Sequence, residues 1–551
     1  MASTWCWELS GSGLDSLALV ERELRLPGPD ELLVRIDACG ICFSDIKILN
    51  LGPAHPRLQG RDMVAEPIVM GHEAAMTVVE AGSDVSERFP VGSRYLIQAD
   101  VYFQGRGMAF GYLLPGGFSQ YQIIGREILG GDEGCYLLPV SDRLSHAQAA
   151  LCEPWACVEA SYAYQPRKSL KPGGRALLLL LDMYQIEQVA DELPGFRSVT
   201  VTALTAMTNP WLSDPSRARA EVKALLDENP GGFDDVLIYG LPNPTLATAA
   251  ATLLAPGGVL AIQGQGETGP IPIDVGSVHY RNHWYTGLPT GNVYRWDRTA
   301  ELAPRGVAWF IGAGGPIGQM HIERSLTLPS PPSKIIISQN GGARLDDLRQ
   351  RFAARAAEMG ISFVTFDAKA LGSELYDLVK RETGGHGCDD ICVVVPNAEV
   401  IERAYTLLAP GGGMNIFAGV AVGAEARIDI GAVPTRGVRM WGTSGSSIAD
   451  LKNVLDKVEA GGLATDRVVA AVGGLPALKE GLHAVREGIF VGKTLIYPHC
   501  KDLPLLTVEE LAERHPEIAE VLFNGRYWTP EAETALLKLY GGVPVETPCA
   551  G

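Results

Sequence analysis

Three short segments in the first third of the chain carry side chains of the types that bind zinc. They are Cys39-Gly-Ile-Cys42-Phe-Ser44-Asp45, Gly71-His72-Glu73 and Leu151-Cys152-Glu153-Pro154. A catalytic zinc ion takes three thiolate, imidazole or carboxylate ligands and keeps a fourth position open for water or substrate. Each segment alone is weak evidence, since a Cys-x-x-Cys pair also occurs as a redox motif. Together they predict a metal centre that activates a substrate oxygen.

A glycine-rich turn later in the chain predicts dinucleotide binding. The apolar run Val307–Ile311 is typical of a strand and leads directly into the predicted cofactor-binding residues Gly312, Gly314, Gly315, Pro316, Ile317 and Gly318. Glycines at such a turn let backbone amides approach a pyrophosphate at the N-terminus of the following helix. The spacing is one residue longer than Gly-x-Gly-x-x-Gly, but the strand before it and the helix after it are the context that the motif requires.

The end of the next predicted strand leaves the choice between NAD and NADP open. That position often carries an acidic residue that binds the adenosine ribose of NAD. Here the chain has Ser338-Gln339-Asn340, and the first arginine beyond it is Arg344. A neutral amide can hydrogen-bond a ribose hydroxyl and does not repel a 2′-phosphate. We therefore predict these four residues as cofactor-binding, with either dinucleotide.

The combined motifs resemble the zinc-containing medium-chain alcohol and polyol dehydrogenases, particularly the sorbitol, threonine and sorbose-phosphate dehydrogenases. The resemblance covers roughly residues 25–170 and 300–500. It implies Cys42 rather than Cys39, His72, and Glu153 rather than Cys152 as zinc ligands, with Glu73 binding directly or through water. It also implies that Asp45 orients His72 and that Ser44 passes on the substrate proton. The implied activity is hydride transfer between NAD(P) and a secondary alcohol or ketone of a polyol, sugar or sugar phosphate.

Two departures from the family pattern qualify this expectation. Many members have a histidine three residues after the serine, whereas this chain has Lys47. Lys47 could replace that histidine in a proton relay, hold an anionic substrate group, or be a solvated surface lysine. Residues 90–125 contain no cysteine, so the four-cysteine lobe of a structural zinc is missing. We therefore predict one catalytic zinc ion and no structural one.

The predicted elements divide the chain into β-rich and α/β parts. We predict a GroES-like catalytic domain over 1–170, a degenerate Rossmann-like domain over 171–300, a cofactor-binding Rossmann domain over 301–445, a return segment over 446–500 and a helical appendage over 501–551. The two α/β parts share three sequence blocks about 155 positions apart, including Asp234-Asp235 with Asp389-Asp390. The first part has Asp182-Met-Tyr-Gln where the second has its glycines, so we expect only the second to bind a dinucleotide.

The appendage carries helix signals but no residues that suggest chemistry. Thr507 and Glu510 form a predicted capping box, and Asn524-Gly525 predicts the end of that helix. Thr529-Pro530 predicts the start of another helix. A packing or oligomer role is expected.

Composition excludes several classes of partner. The chain has 551 residues and a net charge of −18, which argues against nucleic acid or an anionic membrane as the main partner. We see no membrane span and no signal peptide, and expect a cytoplasmic protein. The family implies a homo-oligomer, dimeric or tetrameric. Arg57, Arg61, Arg94 and Arg106 are candidates to meet a substrate phosphate, and Tyr102, Phe103, Phe110 and Tyr112 are candidates to line the pocket.

Two other functions stay open at this point. The same site could retain and regenerate its cofactor, giving a redox-neutral epimerase or lyase. Alternatively, the chain could be a non-catalytic binding protein built on a decayed dehydrogenase. The intact metal and glycine motifs argue against the second alternative.

Overall fold

The computed structural model describes residues 3–58, 60–163, 167–181, 189–191, 193–266, 268–294 and 299–541. The chain forms two compact units. The first unit contains Met1–Glu159 and Gly445–Gly551, and the second contains Ala160–Ser444. The Asp182 segment, where the sequence predicts a turn that binds no cofactor, lies outside the described residues.

Strands occur in both units. In chain order they are β1 (Ser3–Leu9), β2 (Leu17–Glu23), β3 (Leu32–Ile41), β4 (Glu73–Ala81), β5 (Arg94–Ile97), β6 (Tyr102–Phe103), β7 (Arg106–Gly107), β8 (Tyr121–Ile124), β9 (Leu137–Pro139), β10 (Arg175–Leu180), β11 (Thr200–Thr205), β12 (Phe233–Tyr239), β13 (Leu254–Gln263), β14 (Pro270–Asp274), β15 (Trp284–Leu288), β16 (Val307–Ile311), β17 (Lys334–Gln339), β18 (Ser362–Asp367), β19 (Cys388–Val393), β20 (Leu408–Ile416), β21 (Glu425–Asp429), β22 (Arg439–Trp441), β23 (Val469–Gly474), β24 (Lys493–Tyr497) and β25 (Leu506–Thr507).

The α-helices are mostly short. They span Phe43–Leu51, Arg126–Leu129, His146–Ala150, Cys152–Ala163, Pro215–Glu228, Pro244–Ala251, Val275–Tyr280, Pro316–Thr327, Ala343–Glu358, Ala368–Leu371, Glu374–Glu382, Ala398–Tyr405, Ala432–Arg436, Ile448–Glu459, Leu478–Glu487, Val508–Arg514, Pro516–Ala519 and Pro530–Tyr540. Among the described residues, none of these helices has both the length and the apolarity that crossing a bilayer requires.

The first unit is built around an eight-stranded sheet. Its strand order is β25-β23-β24-β3-β4-β5-β9, and β8 also pairs with β3. Strand β3 is almost entirely buried because it packs on both faces, and β24 pairs with it antiparallel through Ile41 and Thr494. The segment after residue 445 therefore completes the sheet that begins in the first forty residues.

The second unit contains one eleven-stranded sheet made of two α/β halves. The order is β11-β10-β12-β13-β15-β22-β20-β19-β16-β17-β18, and every neighbouring pair is parallel except β15 with β22. Short helices alternate with buried apolar strands, as expected for parallel sheets with crossover connections. The first half (β10 to β15) and the second half (β16 to β22) thus follow the same strand sequence, and among the residues that the structure describes only the second half adds an outer strand, β18.

The two halves use the same side-chain contacts at corresponding positions. Asp234 Oδ2 accepts a hydrogen bond from Arg175 N at 3.0 Å at the start of β10, and Asp389 Oδ2 accepts one from Val307 N at 2.8 Å at the start of β16. The neighbouring aspartates, Asp235 and Asp390, likewise accept backbone N–H groups just upstream. The internal repeat predicted from sequence is therefore present in the structure.

The halves meet through antiparallel pairs whose register is nearly two-fold symmetric. Tyr285 on β15 pairs with Met440 on β22, and Pro272 on β14 pairs with Arg427 on β21. Each pair joins residues 155 positions apart, which is the offset of the repeat. Two surfaces that meet through equivalent residues form an isologous contact, the kind that joins identical subunits. In this chain both surfaces belong to one polypeptide.

A buried carboxylate attaches the C-terminal helices to the rest of the first unit. Glu533 accepts hydrogen bonds from the backbone N–H groups of His146 and Ala147 at 2.6 and 2.7 Å and from the Tyr497 hydroxyl at 2.8 Å. The predicted capping box of Thr507 is present. The prediction that its helix runs to residue 524 was wrong: the helix ends at Arg514, because the residue before Pro516 is held in extended backbone.

Candidate metal centre and dinucleotide turn

Strand pairing brings the predicted metal ligands together in the first unit. Cys42 follows β3 directly and is the N-cap of helix Phe43–Leu51, while His72 and Glu73 lie at the start of β4. Strands β3 and β4 pair antiparallel with Gly40 opposite Glu73. One ligand atom from each of Cys42, His72 and Glu73 lies within 4.8 Å of the other two.

The polar atoms of this cluster are those of an incomplete coordination shell. Glu73 Oε2 is buried and has no hydrogen-bond partner among the described residues, while the buried His72 Nδ1 has Asp45 Oδ1 as its neighbour at 3.5 Å. A buried polar atom without a partner is unfavourable unless a ligand satisfies it. The donor set of sulfur, nitrogen and carboxylate oxygen is one that zinc prefers. The residues therefore fit a zinc ion.

Asp45 supports the cluster from behind. Its Oδ2 accepts a hydrogen bond from Cys42 N at 2.8 Å, and its Oδ1 accepts one from Gly71 N at 3.3 Å. Oδ1 also lies 3.5 Å from His72 Nδ1. Burial favours the neutral imidazole, but the Asp45 carboxylate outweighs burial and raises the pKa of His72 well above its ordinary value. Asp45 is thus positioned to orient His72, as the family resemblance implies.

Lys493 is a neighbour of the cluster that the sequence analysis missed. Its buried ammonium on β24 forms an ion pair with Glu73 Oε1, and it also donates to the carbonyl of Ile41 at 3.4 Å. Burial opposes the charged form, but Glu73 outweighs it and raises the pKa of Lys493. The pair neutralises one oxygen of Glu73 and leaves Oε2 facing the cluster. No local motif marks Lys493, because its partner is more than four hundred positions away.

Glu153 lies near the cluster but does not join the three ligand atoms within 4.8 Å. It is in the first turn of helix Cys152–Ala163, and Cys157 Sγ lies 3.8 Å from its Oε1. Burial raises the pKa of Glu153 to about 7, against the effect of the nearby His72 and Lys493. Its ligand role stays a prediction.

The two cysteines that compete as zinc ligands, Cys39 and Cys152, lie in buried packing environments. Cys39 and Cys152 are fully buried, and burial raises the pKa of each thiol. Cys152 Sγ donates to the Gln148 carbonyl at 3.3 Å. Neither belongs to the cluster of ligand atoms, which favours Cys42 over Cys39.

Ser44 and Tyr112 connect the cluster to a cavity. Ser44 Oγ lies 3.2 Å from His72 Nε2, and the Tyr112 ring centroid is 6.0 Å from that of His72. Ser44 also interacts with the Tyr112 hydroxyl, whose pKa is raised mainly by burial. Burial lowers the pKa of the His55 imidazole, and the nearby charges of Arg57 and Lys47 lower it further.

The cavity beside Tyr112 separates the four candidate arginines into two groups. It has a volume of about 270 Å³, and Arg57 and Arg106 line it together with Asp100, Tyr102 and Tyr112. Arg61 and Arg94 instead donate to backbone carbonyls, Arg61 to Leu113 at 3.0 Å and Arg94 to Leu144 at 2.8 Å. Of the candidate aromatics, Phe103 and Phe110 are not among the lining residues.

The glycine turn in the second unit has the backbone geometry that the motif predicts. Gly312 has φ of 78°, and Gly315 is the N-cap of helix Pro316–Thr327, with Ile317 in its first turn. A Cβ on Gly318 would lie 2.3 Å from Ala313 Cα, so only glycine allows the helix to pack this closely on the turn.

The residues after β17 contribute unequally to this turn. Gly314 N donates to the Gln339 side chain at 2.9 Å, so that amide lies directly over the turn. Ser338 is buried and accepts a hydrogen bond from Trp309 Nε1 at 3.1 Å. Asn340 is exposed, and Arg344 is in the first turn of helix Ala343–Glu358. Gln339 is therefore the best placed of the four toward a bound dinucleotide.

Several known dehydrogenases are similar to this chain. Residues 28–129 match the alcohol dehydrogenase GroES-like domain. The chain is 22% identical to L-sorbose 1-phosphate reductase of Klebsiella pneumoniae, over 92% of this chain and 91% of that protein. It is 23% identical to mannitol-1-phosphate 5-dehydrogenase of Aliivibrio fischeri, over 94% of this chain and 95% of that protein. The chain thus contains an alcohol dehydrogenase GroES-like domain and resembles polyol- and sugar-phosphate dehydrogenases along most of its length.

Solved structures of this dehydrogenase family share the fold. A Sinorhizobium meliloti protein described as a zinc-binding dehydrogenase, solved with NADP, aligns with a TM-score of 0.51 at 17% identity, over 90% of this chain and 100% of that one. The predicted fold class, a GroES-like domain with Rossmann-like α/β units, is confirmed. The GroES-like domain and the dehydrogenase relatives support an oxidoreductase.

Proposed function

We propose that the chain is a zinc- and NAD(P)-dependent oxidoreductase that interconverts a secondary alcohol and a ketone of a polyol, sugar or sugar phosphate. The observation that carries this proposal is the cluster of Cys42, His72 and Glu73, in which the buried Oε2 of Glu73 has no partner among the described residues. The relatives named as sugar-phosphate reductase and dehydrogenase support the substrate class.

The residues of the first unit would hold the metal and handle the substrate proton. Cys42, His72 and Glu153, with Glu73 directly or through water, are the proposed ligands, and Asp45 fixes the His72 ring. When bound, zinc supplies Lewis acidity at a substrate oxygen, and the dinucleotide exchanges hydride with the substrate carbon. Ser44 lies beside His72 and is the group proposed to take the substrate hydroxyl proton and to pass it toward Tyr112.

The residues of the second unit would bind the dinucleotide. The backbone N–H groups of Gly314, Gly315, Ile317 and Gly318 are the proposed pyrophosphate donors at the N-terminus of helix Pro316–Thr327. Gln339 would leave Gly314 N and turn to a ribose hydroxyl, with Asn340 and Arg344 beside it. An amide in this place supports use of either NAD or NADP.

Metal content and turnover, measured on the same samples, test the proposal. We expect wild-type protein to hold zinc by plasma mass spectrometry and to oxidise NADH or NADPH with L-sorbose 1-phosphate or L-sorbose. Cys42→Ser and His72→Ala should lower both zinc content and turnover, turnover by about a hundredfold or more. Cys39→Ala is the matched control, because that cysteine lies outside the cluster.

Two results would overturn the proposal. Full zinc content and full turnover in Cys42→Ser would reject the metal centre. If the purified protein retains a bound cofactor and interconverts sugars without net use of added NAD(P), it would instead be a redox-neutral epimerase.

A further inference from the structure

Two arginines line the cavity beside the metal cluster. Arg57 and Arg106 both line it, and its acidic lining residue is Asp100. Arg57 Nη1 donates to Asp100 Oδ1 at 2.6 Å, which uses one edge of the guanidinium. Within the described residues, Arg106 forms no salt bridge. The lining therefore keeps one positive charge in excess in a protein whose net charge is −18.

The Arg57 side chain and the hairpin backbone that carries Arg106 are both held in place before any ligand arrives. The Arg57 guanidinium lies 5.2 Å from the Tyr112 ring centroid, a cation–π distance. Arg106 is on a tight hairpin, β6 with β7, whose turn residues Gln104 and Gly105 have positive φ. Asp132 accepts hydrogen bonds from both turn N–H groups at 2.7 Å, which fixes the hairpin.

Tyr112 joins this cavity to the chemistry of the site. Its ring lines the cavity, contacts His72 and interacts with Ser44. A ligand with an anionic group in the cavity would therefore extend past Tyr112 toward the metal cluster. Guanidinium groups bind phosphate through paired N–H donors, better than they bind a neutral hydroxyl.

We propose that this cavity is a phosphoryl-binding subsite, in which Arg57 and Arg106 bind the phosphate of a polyol or ketose monophosphate. This assignment rests on the proposed function, because it takes the metal cluster as the place where the carbinol or ketone reacts. It selects the phosphorylated substrates from the broader class of polyols and sugars.

A pair of substrates that differ only by phosphate tests the subsite. In Arg106→Gln we expect the KM for L-sorbose 1-phosphate to rise roughly ten- to a hundredfold, as for loss of a charge-assisted hydrogen bond. The change in KM for L-sorbose should be at least ten times smaller. Arg57→Gln should show the same split. Arg143→Gln, an exposed arginine that contacts Ser141 outside the cavity, is the control.

Titration of the same proteins with inorganic phosphate separates this proposal from the proposed function. Calorimetry should detect phosphate binding to wild type and Arg143→Gln, and at least tenfold weaker binding to Arg106→Gln. If no sugar is turned over but this difference holds, the subsite stands and the reaction must be reconsidered. Equal loss on both substrates, or phosphate binding that Arg106→Gln leaves unchanged, would overturn the subsite.

Discussion

The two α/β halves of the second unit are alike where they fold and different where one would bind a cofactor. Both use an aspartate to fix the start of their first strand, Asp234 in one and Asp389 in the other. Only the second half follows that strand with glycines; the first continues through Leu181 into Asp182. The contacts that shape a half are thus independent of the residues that would bind a dinucleotide.

The largest expected effect comes from breaking the joint between the halves. Trp284 and Trp441 are buried and stacked there, with ring centroids 5.0 Å apart. Replacing either by alanine should lower the free energy of unfolding by about 3–5 kcal/mol. Trp441→Ala also removes the hydrogen bond from Trp441 Nε1 to the Ser161 carbonyl at 3.1 Å, which is worth about 1 kcal/mol.

Urea unfolding followed by circular dichroism measures these losses. The free energy of unfolding of the double variant should fall by less than the sum of the two single losses. Each single variant already loses the stacking contact, so the sum counts that contact twice. Met207→Ala, an exposed position in the first half, should change nothing. Strict additivity in the double variant would show that the two halves do not support each other through this pair.

The next effect concerns the glycines themselves. In Gly314→Val the new side chain meets Gln339 and fills the approach to the turn, since even a Cβ would lie 2.7 Å from that side chain. We expect affinity for NADH and NADPH to fall by about a hundredfold, near 2.7 kcal/mol. Leu181→Ala changes the matching turn of the first half and should leave dinucleotide affinity within about twofold. Calorimetric titration of both variants checks this; equal losses would mean that the first half also takes part in binding.

The smallest effect is a pH dependence confined to the first half. Burial alone would raise the pKa of Asp234, but its bonds to Lys171 and Arg175 N outweigh burial and lower it from 3.8. A depressed carboxyl pKa gives stability that is present above the unfolded-state pKa and is lost as pH falls through the folded-state pKa.

Asp234→Asn should therefore be less stable than wild type at pH 6, and the difference should shrink as pH falls below about 4. Because Lys171 is half exposed, we expect at most about 1 kcal/mol. Urea midpoints from pH 3 to pH 7 measure it. A difference that stays constant across this range would assign the effect to packing rather than to charge.

Local sequence motifs predicted much of the fold and part of the candidate site. The glycine turn, the first strand of each half and the grouping of Cys42 with His72 could be predicted, because short motifs determine them. Lys493 could not, since its role depends on a partner that only the sheet brings near. The antiparallel pairing of β15 with β22 could not be predicted either, because the sequence of each half is that of a complete α/β unit with an unpaired edge strand.

The near-symmetric joint has a consequence for how this chain could evolve. Two identical chains that meet through equivalent surfaces must carry every substitution twice, once on each side. Here different positions of one chain encode the two surfaces, so a substitution can alter one surface and leave the other unchanged. One half can thus lack a glycine turn while the other has it, an asymmetry that a pair of identical chains cannot reach.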